Sequence, residues 1–219
     1  MPATLIVFAS ALECNAIFPE YRGRAGQSIF FSIENRFDVA VLEVGILPFA
    51  TAFCSLLREK QFCTVIQMGI AGAFLDAGLA IGDVVRVDTD TLGDQGFQEA
   101  DGSFQPWPLG SQREPLSYSG GDLTLAPACI KSLKGVKGLT VNTCTGTSSL
   151  ALNRRKFFNT DLESMEGASF FALSSVFGVN AYQVRAVSNY VSDRHKSDWK
   201  VEEALSQLKR QVIDPMVLL

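Results

Sequence analysis

Histidine is almost missing from this chain: among 219 residues, His195 stands alone. A mechanism that needs two imidazoles is excluded, and a Ser-His-Asp relay would have to run through that single side chain. Its neighbours Asp193, Arg194, Lys196 and Asp198 mark a solvated loop. Paired cysteines are missing too. Cys14, Cys54, Cys63, Cys129 and Cys144 are odd in number, scattered, and form no CxxC pair. That excludes a disulfide framework and a zinc knuckle and points to the reducing cytoplasm. There is no excess of basic charge, with 19 Lys and Arg against 23 Asp and Glu and a net charge of -4. The dense cationic patches that recruit nucleic acid or anionic lipid are therefore not expected. No apolar run reaches membrane-spanning length, since the stretch 44–57 is short and broken by Pro48, and Met1, Pro2, Ala3 and Thr4 lack the basic lead of an export signal. Glycine-rich phosphate loops are missing as well. No Gly-Lys-Ser/Thr ending occurs and no GxGxxG follows the first apolar run, which removes ATP and NAD from consideration.

What the chain does have is apolar content, 47% of its residues, enough at this length for one sizeable core and hence one domain over residues 1–219. The apolar residues fall in short consecutive runs at 5–9, 39–44, 64–68, 83–87, 139–143 and 181–187. Consecutive rather than alternating placement fits strands covered on both faces. Helical stripes lie between them: Phe49, Phe53, Leu56 and Leu57; then Ala168, Phe171, Ala172 and Val176, with Gly178 as a C-terminal stop; then Val201, Leu205, Leu208, Val212 and Met216. The alternation predicts an α/β fold of three layers, αβα, around a central, mostly parallel mixed sheet with right-handed crossovers. Residues 88–127, rich in Gly, Gln, Ser and Pro around Phe104 and Trp107, are too long for a plain connection and read as a functional or interface excursion.

In such folds ligands bind beyond the carboxyl ends of the strands, so the residues that follow each run are the candidates. Gly69 and Gly72 have an everyday reading as the glycines of a tight turn. Glu166 starts a helical stripe, where an acid complements the helix dipole. A competing register reads Thr160, Asp161, Leu162 and Glu163 as a capping box that starts the helix earlier. Asn189 ends a strand, where an amide often closes an Asx-turn. Arg185 lies inside the run 181–187, and a guanidinium there needs a buried acid or anion, or an exposed strand face.

Together these segments resemble the nucleoside phosphorylase and nucleosidase superfamily, in the branch that holds methylthioadenosine/S-adenosylhomocysteine nucleosidases and futalosine hydrolases. The motifs are Ala11-Leu12-Glu13, Gly69-Ile70-Ala71-Gly72 followed by Ile81-Gly82-Asp83-Val84-Val85, Ser164-Met165-Glu166-Gly167-Ala168, and Val184-Arg185-Ala186-Val187-Ser188-Asn189. Their order and spacing cover nearly the whole chain. The tail, Ser188 to Arg194 and then Asp198 to Ala204, is most similar to the futalosine hydrolases. Where the methylthioadenosine enzymes typically carry Ser-Asp, this chain has Ser188-Asn189. Adenine shows an amino donor at position 6, whereas hypoxanthine shows an oxygen there beside N7. An Asn amide donates to those two acceptors without a shifted pKa. Asn189 therefore argues for a 6-oxopurine.

The resemblance implies hydrolysis of a purine N-glycosidic bond with no metal or organic cofactor, in a homodimer whose segment 97–118 is a candidate to close over the 5′ substituent. It implies Glu166 on the ribose hydroxyls, Met165 against the sugar, Arg185 orienting acid and water, and a base pocket formed by Ile70, Ala71, Gly72, Ser149, Leu150 and Ser188. Ile70 stands where the related nucleosidases have serine, and Ser149 near where they stack a phenylalanine. The water-activating position of the family falls at Asn15, whose amide cannot take a proton. Glu13, the nearest carboxylate and the other catalytic candidate at this place, is two residues away on a helix, about 200° around it; it substitutes only if the local backbone differs, and otherwise reads as a solvated first-turn acid. Two alternatives stay open: an adenine-releasing nucleosidase, and a nucleoside-binding module without turnover.

Overall fold

The computed structural model describes residues 3–19, 29–33, 36–100, 104–107 and 115–218. In chain order the strands are β1 (Ala3–Phe8), β2 (Ile29–Ile33), β3 (Phe37–Val41), β4 (Phe62–Ala73), β5 (Val84–Leu92), β6 (Gly96–Gln98), β7 (Phe104–Pro106), β8 (Ser117–Ser119), β9 (Lys134–Thr140), β10 (Leu162–Ser164) and β11 (Asn180–Tyr190). The helices are α1 (Ala11–Ile17), α2 (Ile46–Glu59), α3 (Ala128–Lys131), α4 (Ser148–Phe158), α5 (Gly167–Phe177), α6 (Val201–Leu208) and α7 (Asp214–Leu218), the last two joined by a π-helical stretch, Lys209–Ile213.

The large sheet runs in the order β10-β9-β5-β11-β4-β1-β3-β2, with β8 on β5. Strands β3, β1, β4 and β11 are mutually parallel, whereas β5 meets β11 antiparallel and β2 meets β3 antiparallel. The fold is thus the expected mixed α/β arrangement, with one feature that apolar runs do not reveal. β10 pairs parallel with β9 and also antiparallel with the end of β4, Glu163 opposite Gly72. Half of the sheet therefore closes on itself through β4, β11, β5, β9 and β10.

Consecutive apolar residues are explained by the pleat, which sends neighbours to opposite faces. On β1, Leu5 and Val7 pack with Phe49, Phe53, Phe170 and Phe171 of α2 and α5. Ile6 and Phe8 pack on the other face with Ile17 of α1 and Leu205 and Leu208 of α6. Both faces are dry, as a covered sheet requires. Helix α5 ends where expected: Gly178 takes the left-handed conformation, φ 66°, that lets the chain turn out of a helix. It begins at Gly167, however, and Leu162 to Ser164 are strand, so the capping-box register is corrected. Pairing on two sides at once stabilises this three-residue strand against its local helical signal. The excursion 88–127 resolves into the end of β5, the β6–β7 hairpin and β8; residues 101–103 and 108–114 lie outside the described residues.

Candidate active site

The starts of three helices, α1, α2 and α5, meet beside β4 and β11. Glu13 occupies the third position of α1, where a capping box forms: Ser10 N and Oγ donate to its Oε2 at 3.1 and 2.7 Å. Its Oε1 accepts the backbone N–H of Ile70 at 3.0 Å, tying α1 to β4. The side chain is buried, 6% exposed, so the reading as a solvated acid is corrected. A carboxylate offers about four acceptor directions, and three donors leave one for a ligand or water. Asn15, two residues further and so about 200° around α1, is half-buried on another side of the helix. The carboxylate beside Gly69 is Glu13, and Asn15 does not share its place on α1.

Gly69 and Gly72 are not turn residues. Both lie in β4 in register with β11, Gly69 opposite Arg185 and Gly72 opposite Asn189. A methyl at Gly69 would overlap Glu13 Oε1 and stand 2.9 Å from Arg185 Nη1; one at Gly72 would stand 3.0 Å from Asn189 Nδ2. Glycine here gives functional side chains room to cross the strand.

Arg185 is fully buried. Its Nε donates to Gln183 Oε1 at 2.9 Å, and its Nη2 lies 3.8 Å from Glu166 Oε2 with no hydrogen-bond partner among the described residues. Glu166 is the N-cap residue of α5, yet its side chain makes no capping bond. Because β10 runs back alongside the end of β4, Glu166 arrives at the level of Arg185. Its Oε1 instead accepts the N–H of Gly45 at 2.9 Å, from the N-cap of α2. Burial pushes the Glu166 carboxyl above the usual range; Arg185 and the Gly45 N–H pull it back, and the carboxylates of Glu13 and Asp90 push it further.

Asn189 follows a bulge in β11, at which Ser188 is the extra residue between the pairs Val187 with Ala71 and Asn189 with Gly72. Ser188 Oγ donates to Asn189 Oδ1 at 2.8 Å, and Asn189 Nδ2 donates to Tyr190 O at 3.1 Å. The amide is thereby oriented, and one N–H of Nδ2 remains for a ligand. A hollow beside it is lined by Ile81, Thr145, Tyr190, Asp193 and Trp199, among others. Thr145 is held there by a buried clamp: its N–H and hydroxyl donate to Glu163 at 2.7 and 2.5 Å, and Arg154 Nη1 bonds both Glu163 and Thr145.

Of the remaining candidates, Ile70 is half-buried, Ala71 is buried on β4, and Met165 is half-buried just after β10. Ser149 is exposed and Leu150 half-buried at the start of α4, whose Ser148 is tied to Asp193 by two hydrogen bonds. No hydrogen bond links Ser149 or Leu150 to Glu13, Arg185 or Glu166 among the described residues. Sequence reading passed over Gln183, Asp90 and Glu163. Only Gln183 carried a signal, as a polar residue inside the apolar run 181–187.

The cluster is thus two buried carboxylates flanking one guanidinium, with an oriented amide four residues along β11. The sequence model of the phosphorylase superfamily matches residues 9–216. The chain belongs to the phosphorylase superfamily. Within that superfamily it is 32% identical over 179 residues to the futalosine hydrolase of Thermus thermophilus, covering 78% of each chain. Its fold is similar to that of a futalosine hydrolase mutant of Helicobacter pylori, with a TM-score of 0.78 and 17% identity over 99% of both chains. It is equally similar to a Helicobacter pylori nucleosidase with 5′-methylthioadenosine in the active site, TM-score 0.79 and 16% identity over the full length of both. The fold is common to both activities, so the side chains must discriminate between them.

Proposed function

We propose that this chain is an enzyme that hydrolyses the N-glycosidic bond of futalosine and releases hypoxanthine. The observation that carries the reading is the Asn189 amide: with Oδ1 engaged by Ser188, what it presents is an N–H, matched to O6 and N7 of a 6-oxopurine. The 32% identity to a futalosine hydrolase supports the same base.

In this mechanism the glycosidic bond lengthens as positive charge grows on the ribose. Glu166, with Oε1 fixed by Gly45 and Oε2 3.8 Å from Arg185, holds the ribose hydroxyls, and these bonds strengthen as the ring becomes cationic. Asn189 donates to the purine as negative charge gathers on it. Glu13 uses its remaining acceptor direction to hold a water and takes its proton as the oxygen bonds to the anomeric carbon. Arg185, with Nη2 3.8 Å from Glu166 Oε2, favours the charged form of that carboxylate. The departing hypoxanthine takes a proton from solvent, and the sugar leaves with a hydroxyl at the anomeric carbon. With Glu13 in place, the case for a binding module without a base loses its motive.

The reading places the enzyme in menaquinone biosynthesis, as a cytoplasmic homodimer. Exposed Leu12, Val44 and Leu47, which follow β1 and β3 near the cleft, are consistent with a covering partner. Among the described residues no helix is long and apolar enough to cross a membrane. The test is to incubate the protein with futalosine, inosine and methylthioadenosine, with and without phosphate, and to separate the free bases. Hypoxanthine from futalosine without phosphate is expected. Adenine from methylthioadenosine as the main product would favour the other branch, and a strict need for phosphate would indicate a phosphorylase.

A further inference from the structure

Behind the cluster lies a group of buried polar side chains that meets it at Arg185 and at the start of α5. Asp90 on β5 is fully buried, as are Gln183 on β11 and Thr140 on β9. Gln183 Nε2 donates to Asp90 Oδ2 at 3.0 Å, and its Oε1 accepts Arg185 Nε at 2.9 Å. On the other side, Thr140 Oγ1 donates to Asp90 Oδ1 at 2.7 Å while accepting the N–H of Ala168 at 2.8 Å. Ala168 is the second residue of α5, two beyond Glu166. Gly167 has no side chain where a methyl would overlap Asp90 and Gln183, so the helix start packs directly on this pair.

We infer that Asp90 is the positioning residue of the site: it sets the polarity of one hydrogen-bond chain to Arg185 and of another to the helix that carries Glu166. The inference rests on the nucleosidase reading of the Glu13, Arg185 and Glu166 cluster. An amide side chain has two nearly isosteric ends, and packing alone does not choose between them. Were Gln183 reversed, its NH2 would face the Nε–H of Arg185, donor against donor. A carboxylate accepts only, so Asp90 forces the NH2 of Gln183 toward itself and the carbonyl toward Arg185. It likewise fixes the Thr140 hydroxyl as donor to itself and acceptor for Ala168. Burial pushes the Asp90 carboxyl up to about 6, while the hydrogen bonds from Thr140 and Gln183 and the charge of Arg185 favour its ionised form. An apolar residue would fill this space at lower desolvation cost but would impose no direction.

The chain can be rewritten without changing its donors, acceptors or total charge. Asp90→Asn lets the amide at 90 donate toward Gln183, which must then reverse and oppose Arg185. Adding Gln183→Glu restores the order: Thr140 donates to the carbonyl at 90, its NH2 donates to the carboxylate at 183, and that carboxylate accepts from Arg185. Gln183→Glu alone sets two carboxylates face to face. For futalosine hydrolysis we expect each single variant to lose about 10- to 100-fold in kcat with little change in KM, as a misplaced charged group does. The pair should return to within a few-fold of wild type. The second readout is the Arg185 Nε–H resonance, shifted in each single variant and returned in the pair. Wild-type kcat in Asp90→Asn, or a pair no better than the worse single variant, would overturn the inference. A pair that folds where Asp90→Asn does not would support it. Should the wild type release no base from futalosine, the nucleosidase reading fails instead. The resonance alone then decides: unmoved in Asp90→Asn, it overturns the chain; moved and restored, it upholds it.

Discussion

Replacing Gly69 by alanine puts a methyl group where the Glu13 carboxylate now crosses β4. The added carbon would overlap Glu13 Oε1 and sit 2.9 Å from Arg185 Nη1, where ordinary contact begins at 3.4 Å. Glu13 cannot turn aside freely, because Ser10 holds one oxygen and the Ile70 N–H holds the other. The carboxylate must retreat by about 1 Å or the strand must bow, and a displacement of that size costs about 100-fold in rate. The same overlap costs about 1–3 kcal/mol of stability, as overpacking of a full core does. Hypoxanthine release at saturating futalosine should therefore fall by about two orders of magnitude, and urea unfolding should show a folded but weaker protein. A Gly69→Ala enzyme with wild-type kcat would refute the placement of Glu13 and Arg185 on either side of this glycine.

Three more outcomes can be checked. Asn189→Asp removes the N–H offered to O6 and N7, so preference should move from 6-oxo toward 6-amino purines; an unchanged ratio of kcat/KM for the two would remove the donor argument. Because the folded pKa of Glu166 lies above its ordinary value, the folded state holds that proton more tightly. The stability contribution of this group is then greatest at low pH and declines as pH rises through the folded value. Glu166→Gln should accordingly gain stability over wild type at pH 8 relative to pH 5 in urea unfolding, while losing activity throughout; wild-type activity itself should fall as pH drops through a value above the usual carboxylate range. Arg154→Met would leave Glu163 buried without its cation, and breaking such a pair costs about 3–5 kcal/mol. A shift in the urea midpoint worth less than about 1 kcal/mol would count against the clamp, since that is the range of an exposed pair.

Much of the scaffold can be read in the chain because burial on two faces leaves a mark along the backbone. The runs that became β1, β3, β4, β5 and β11 are mostly apolar at consecutive positions, whereas the run 139–143 overlaps β9 only at Leu139 and Thr140; Gly178 closes α5 as a C-terminal glycine should. The short strands leave no such mark. β10 is three residues long and looks like a helix cap from its side chains; only its partners β4 and β9 make it a strand. The site was legible in its members but not in their geometry. Arg185 announced itself as a charge within an apolar run, and Glu166 and Asn189 as polar residues at element ends. Glu13 stayed divided between a candidate base and a solvated acid because spacing along one helix says nothing about the strand across from it. It is Gly69, far away in sequence, that opens the space Glu13 fills. Gln183 and Asp90 sit on neighbouring strands with no shared motif, and their hydrogen bonds appear only once β5 lies beside β11.

The most direct test of the account compares the free base released from futalosine, in buffer without phosphate, by wild type and by Glu13→Gln. The variant keeps the shape of the side chain and removes its ability to accept a proton, which in general base catalysis is worth about 100- to 10,000-fold. The account predicts hypoxanthine from the wild type and a loss of that size in the variant, with KM little altered. Equal rates in the two proteins, or no release by the wild type, would contradict it.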